Sequence, residues 1–203
     1  DVFKSTVNPQ HPFAKFSVGN LNTLNAQEGS LRKQLLDFYD KNYSSNIMAL
    51  VVIGREPLAE LEQVVVNKFS AIPNKSVVLE DIEEPLFEPG RLPLFMQIRP
   101  EQEQRFLSIS FAIPPVADYY QQKPLQYIAN IIGHEGEGSL LSYLKSRGWA
   151  EALGAGEGLS YEGGSTFSVS VQLTRKGVEH SDDVVLALFQ AIERIRREGV
   201  QPW

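Results

Sequence analysis

The sequence predicts an α+β fold, with mixed or antiparallel sheets covered by helices on one side. Three observations lead there. Leu107, Ile109, Phe111 and Ile113, like Phe167, Val169, Val171 and Leu173, alternate with small polar residues at the period of a half-buried strand. Leu58, Leu61, Val65 and Phe69, and later Val185, Leu188, Phe189, Ile192 and Ile195, recur instead at helical intervals. The strands also follow one another closely, as in hairpins, while the helices fall into separate stretches.

Element by element, residues 1–20 are rich in turns, punctuated by Asn8-Pro9, His11-Pro12 and Gly19-Asn20. Asn25 and Glu28 have capping-box spacing ahead of a helix carrying Leu31, Leu35, Phe38 and Tyr39. Met48 to Ile53 is a continuous apolar run closed by Gly54, which reads as a buried strand. Pro57 opens the next helix and Pro73-Asn74 closes that unit. The stretch 80–91 is acidic and proline-bearing and reads as a linker, so a boundary falls near residue 79 and divides the chain into 1–79 and 80–203. Beyond it, strands are expected at Leu92–Ile98, 106–113, 149–156 and 164–173, all in one sheet, with helices at Pro124–Ile132 and Leu140–Lys145 between them. An amphipathic helix closes the chain.

The composition excludes several kinds of function. Of 203 residues 42% are hydrophobic, enough for a real core, and the formal charge of -6 argues against a nucleic-acid partner, which needs clustered Lys and Arg. There is no cysteine, which removes disulfides, thiolate ligands and a thiol nucleophile, and leaves both periplasm and cytoplasm open. No run approaches the roughly 20 apolar residues of a membrane span. Both ends read as cut from a longer chain.

The chemistry-bearing residues are few. His11, His134 and His180 are scattered, and neither H-E-x-x-H nor H-x-x-E-H occurs; His134-Glu135 is half of such a motif, but position 138 is Gly138. No zinc site or catalytic residue is therefore expected within the segment. No G-x-S-x-G elbow is present, and the acidic neighbours Glu83-Glu84 and Asp182-Asp183 do not converge as an acid/base pair. The run Gly133-His134-Glu135-Gly136-Glu137-Gly138-Ser139 ahead of a helix has the glycines of an anion cradle, but Glu135 and Glu137 repel an anion and suit a cation such as a peptide amino terminus. Read structurally, it is a tight turn with Ser139 as N-cap.

From Gly133 to Trp149 the chain closely resembles the start of the second domain in the pitrilysin/insulysin family of zinc peptidases. His11-Pro12-Phe13, Lys15-Phe16, Gly19-Asn20, Tyr43-Ser44-Ser45-Asn46, Gly54-Arg55-Glu56 and Gly199 to Trp203 resemble the same family in the same order. The resemblance implies a parent zinc metalloendopeptidase of four homologous α+β domains enclosing a chamber, with H-x-x-E-H in the part matching upstream of Asp1. Residues 1–79 would then end the first domain and 80–203 begin a second, non-catalytic one. It implies peptide substrates and the parent's other domains as partners, zinc in the parent and none in this segment. It also implies an exosite for the substrate's amino terminus at Gly133 and Glu135, with Leu153, Ala155 and Glu157 on the neighbouring strand. Ala155 departs from the family, where insulysin has glycine. Two other readings compete: a structural homologue without catalysis, like the core subunits of respiratory complexes, and a small autonomous zinc enzyme.

Overall fold

Three strands organise the second half of the chain: β1 (Phe106–Ile113), β2 (Ala150–Tyr161) and β3 (Gly164–Leu173), antiparallel in the order β1-β3-β2. The computed structural model describes residues 2–15, 18–20, 24, 30–161 and 163–200. The chain divides into two compact units, Asp1–Pro89 and Gly90–Trp203.

The sheet of the second unit is one-sided because its sequence alternates. Leu107, Ile109 and Phe111 of β1, Leu153 and Ala155 of β2, and Phe167, Val169, Val171 and Leu173 of β3 all face the core. Helices cover that face: α3 (Pro124–Ile132), α4 (Leu140–Ser146), α5 (Arg175–Glu179) and α6 (Ser181–Glu198). They contribute Ile132, Leu141, Leu144, Val184, Ala187 and Leu188, all buried. Full burial of each such large aliphatic side chain is worth roughly 1.5–3 kcal/mol, so this cluster supplies the unit's stability. The other face is polar, with Ser108 beside Ser170 (3.3 Å) and Ser110 beside Ser168 (2.8 Å). Phe189, expected in the core, is half exposed and sets its edge against Phe111 at 6.0 Å.

The first unit holds the helices α1 (Ser30–Asn42) and α2 (Leu58–Phe69), plus short 3₁₀ turns at Phe3–Thr6, Pro12–Ala14 and Ser45–Ile47. The expected capping residues Asn25 and Glu28 lie outside the described residues. Among the described residues its buried hydrophobics are Val7 and Leu86, tied together where Asn8 N–H donates to the Leu86 carbonyl (2.9 Å) and Asn8 Nδ2 to that of Pro85 (3.1 Å). His11 is also buried, its Nδ1 accepting from Phe13 N–H at 3.1 Å.

Two expected strands are corrected. Met48–Ile53 is neither paired nor buried: Val51 is 82% and Ile53 93% exposed. Leu92–Ile98 is likewise unpaired, with Ile98 60% exposed, and does not join the sheet. Apolar residues favour an extended backbone, but a strand exists only through a neighbour's hydrogen bonds, and neither stretch meets one among the described residues.

Candidate functional site

The five residues implied as an exosite come from two places that the fold brings together. α3 ends at Gly133, whose N–H closes on the Ala129 carbonyl at 2.8 Å. A Cβ there would stand 2.8 Å from that carbonyl oxygen, so the helix ends on glycine, and 3.7 Å from the Ala155 nitrogen, an ordinary contact distance that places the helix end beside β2. The turn then orders itself. Gly136 N–H donates to His134 Nδ1 (3.0 Å), Ser139 N–H to the Gly136 carbonyl (3.1 Å), and Gly138 takes the left-handed φ of +77°. Ser139 Oγ accepts from Ser142 N–H at 3.1 Å and so caps α4, as its position predicts. Glu135 and Glu137 are left exposed.

The strand side is settled by register. Leu173 N–H donates to the Arg105 carbonyl at 2.8 Å, so Leu173 directs its backbone groups toward β1. Backbone groups alternate sides along a strand, so Val171, Val169 and Phe167 also face β1, while Gln172, Ser170 and Ser168 face β2. The Thr174 N–H bond to the Trp149 carbonyl (3.0 Å) fits that alternation. Ala152, Gly154 and Gly156 pair with Gln172, Ser170 and Ser168, so they make the ladder bonds of β2. Leu153, Ala155 and Glu157 pair with the β1-facing residues, so their N–H and C=O point away from β3. β2 is the outer strand on that side of the sheet. Side chains divide differently: Leu153 is buried, Ala155 lies against the core, and Glu157 is exposed.

This edge ends in irregularity. The pairing shifts between Glu157 and Ser160, where Leu159 N–H donates to Thr166 Oγ1 (2.7 Å) in place of a ladder bond. Burial holds the Tyr161 phenol above its usual pKa, with its ring lying over Gly164.

Behind the turn opens a cavity of about 350 Å³, lined among others by Ile132, Glu137, Leu140, Arg194 and Ile195. Sequence reasoning did not find it, because its walls come from separated stretches that share no motif. Among the described residues no group of three His, Cys, Asp or Glu is placed to hold a metal ion, and no helix is long and apolar enough to cross a membrane.

The site can thus offer a carboxylate in a glycine turn beside a sheet edge whose outward backbone donors and acceptors meet no partner strand among the described residues. Known proteins resemble the chain over nearly its whole length. Insulin-degrading enzyme of Bos taurus is 43% identical over 204 aligned positions, covering 98% of this chain and 20% of that protein. The A-factor-processing enzyme of Saccharomyces cerevisiae is 37% identical over the same length, again with 20% of it covered. The chain therefore spans about a fifth of the length of these relatives. The crystal structure of pitrilysin superposes with a TM-score of 0.82 at 29% identity, covering 98% of this chain and 22% of that one. A family model described as the peptidase M16 inactive domain matches residues 30–203, and this chain belongs to that family.

Proposed function

We propose that this chain is a non-catalytic, peptide-binding segment of a larger zinc metalloendopeptidase, and that it holds substrate by adding an extended peptide to the free edge of β2. Residues 1–79 would close the parent's first domain and 80–203 open its second. The parent's zinc would be held by residues outside this chain, as the family resemblance implies, since neither H-x-x-E-H nor H-E-x-x-H occurs in its sequence. No chemical step is assigned to side chains of this segment; its work is to bind and orient.

The observation that carries the reading is the register of β2. Leu153, Ala155 and Glu157 turn their N–H and C=O groups outward from an edge strand, in reach of a peptide backbone. Backbone pairing gives affinity without demanding a sequence. Each such bond contributes roughly 0.5–1.5 kcal/mol net, so several together outweigh one exposed ion pair of about 0–1 kcal/mol. Glu135, exposed in the turn that Gly133 sets against Ala155, supplies that ion pair to the peptide's ammonium group.

Glu135→Gln keeps the shape and removes the charge. In the full-length protein it should weaken peptides with a free amino terminus by at most about fivefold and leave acetylated ones less affected. Equal losses for both peptides, measured as dissociation constants, would remove Glu135 from the site.

A further inference from the structure

The cavity behind the glycine turn has the size and lining of a small-molecule site. Its volume of about 350 Å³ falls within the range of ligand pockets, roughly 300–1,000 Å³. Three pieces of the second unit wall it: the end of α3, the turn with the start of α4, and the last two turns of α6. Ile131, Ile132, Leu140, Ala191 and Ile195 make the wall mostly apolar. Several of its polar groups are already engaged. His134 Nδ1 accepts from Gly136 N–H (3.0 Å), and Ser139 Oγ from Ser142 N–H (3.1 Å). Arg194 Nε donates to Glu198 Oε1 at 2.8 Å, so that pair cancels its own charge. Glu137 differs. It lines the cavity, is exposed at its mouth, and has no hydrogen bond or ion pair among the described residues. Both helices also end here, α3 at Ile132 and α6 at Glu198, and a helix C-terminus carries a partial charge of about −0.5. Arg196 and Arg197 in the last turn of α6 do not line the cavity; Arg196 pairs with Glu193 (3.5 Å) and Arg197 lies 4.0 Å from Glu198. The unbalanced charge facing the cavity is therefore negative.

We propose that this cavity binds a small amphipathic amine, its ring or alkyl chain packed on Ile132, Leu140 and Ile195 and its ammonium group beside Glu137. The apolar wall takes the body of the ligand out of water and supplies most of the affinity. The carboxylate and the two helix ends select the head group: they favour an ammonium over a neutral hydroxyl and repel a carboxylate. Because Glu137 is exposed, water screens its ion pair, and that selection is modest. None of Gly133, Glu135, Leu153, Ala155 and Glu157 lines the cavity, so the proposal stands apart from strand addition at β2.

The test uses the full-length protein and three probes of one shape: phenylbutylamine, phenylbutanol and phenylbutyrate. Dissociation constants are read by ligand-observed NMR. The amine should bind up to about fivefold more tightly than the alcohol, and the carboxylate most weakly. Glu137→Gln, a surface change that keeps the shape, should bring the amine to the alcohol's affinity and leave the alcohol's unchanged. Ala191→Leu, which puts a side chain into the cavity, should weaken all three by about tenfold or more. Thermal unfolding shows whether each variant is folded. Where Ala191→Leu is not, Ala191→Met fills the same space with a more adaptable side chain and is read in the same way. No binding of the amine to the unaltered protein overturns the proposal. So does an amine that binds no more tightly than the alcohol, or one whose affinity a folded, filled cavity leaves unchanged.

Discussion

A Cβ on Gly177 would lie 1.9 Å from the Trp149 carbonyl oxygen, so α5 crosses the start of β2 only because residue 177 has no side chain. Thr174 prepares that crossing, its Oγ1 accepting from Gly177 N–H (2.9 Å) and donating to the Gly148 carbonyl (2.7 Å). The Trp149 ring is then held by its surroundings: His180 stacks on it at 5.0 Å, and the Arg147 guanidinium sits over it at 5.8 Å. His180 is the joint between α5 and α6, with Nδ1 2.8 Å from Asp183 Oδ2. Gly177→Ala sets two effects against each other. Alanine gains about 1 kcal/mol of helix propensity, but overlap with fixed backbone forces α5 away and costs more, typically 1–3 kcal/mol for overpacking. The wedge acts on backbone rather than a yielding side chain, so a net loss of stability is expected in thermal unfolding. An unchanged or raised midpoint would show that α5 is free to shift.

At the scale of elements, β2 behaves differently at successive residues. Gly154 spends its N–H on the ladder with β3, whereas the Ala155 N–H points away from it. Proline removes the donor in either case, and edge strands tolerate it only where the N–H faces outward. Gly154→Pro should therefore destabilise the protein by about 1–3 kcal/mol more than Ala155→Pro, because it leaves a ladder acceptor of β3 unpaired. Paired thermal unfolding curves check this, and equal losses would mean that the register of β2 is misassigned. The helices were legible for a related reason. Their hydrogen bonds are local, so Pro57, Pro124 and Ser139 could mark their starts from sequence alone, and α2, α3 and α4 begin where those residues place them. Strands depend on distant partners. That is why alternation located β1 and β3 correctly while Met48–Ile53, equally apolar, stands unpaired.

Across the whole molecule, the two units differ in what they bury. The second has a continuous core beneath its sheet, while α1 of the first exposes Leu35 (61%) and Phe38 (59%), and Met48–Ile53 and Leu92–Ile98 add further bare apolar surface. Exposed apolar surface of this kind promotes association. The 203-residue chain should bind a hydrophobic dye and scatter as more than a monomer. A monodisperse chain that leaves the dye dark would contradict that expectation. Hydropathy periods, caps and turn residues determined, from sequence alone, the α+β class, every helix but the short α5, and the alternating strands β1 and β3, because each depends on chemistry within a few neighbouring residues. The motif resemblance named Gly133, Glu135, Leu153, Ala155 and Glu157, but no pattern in the letters says that Gly133 rests against Ala155 or which backbone groups of β2 face outward. Those follow from the pairing of β1, β3 and β2 and the packing of α3 on the sheet. Only the tertiary structure decided them, because strand register and sheet edges are relations between residues far apart in the chain.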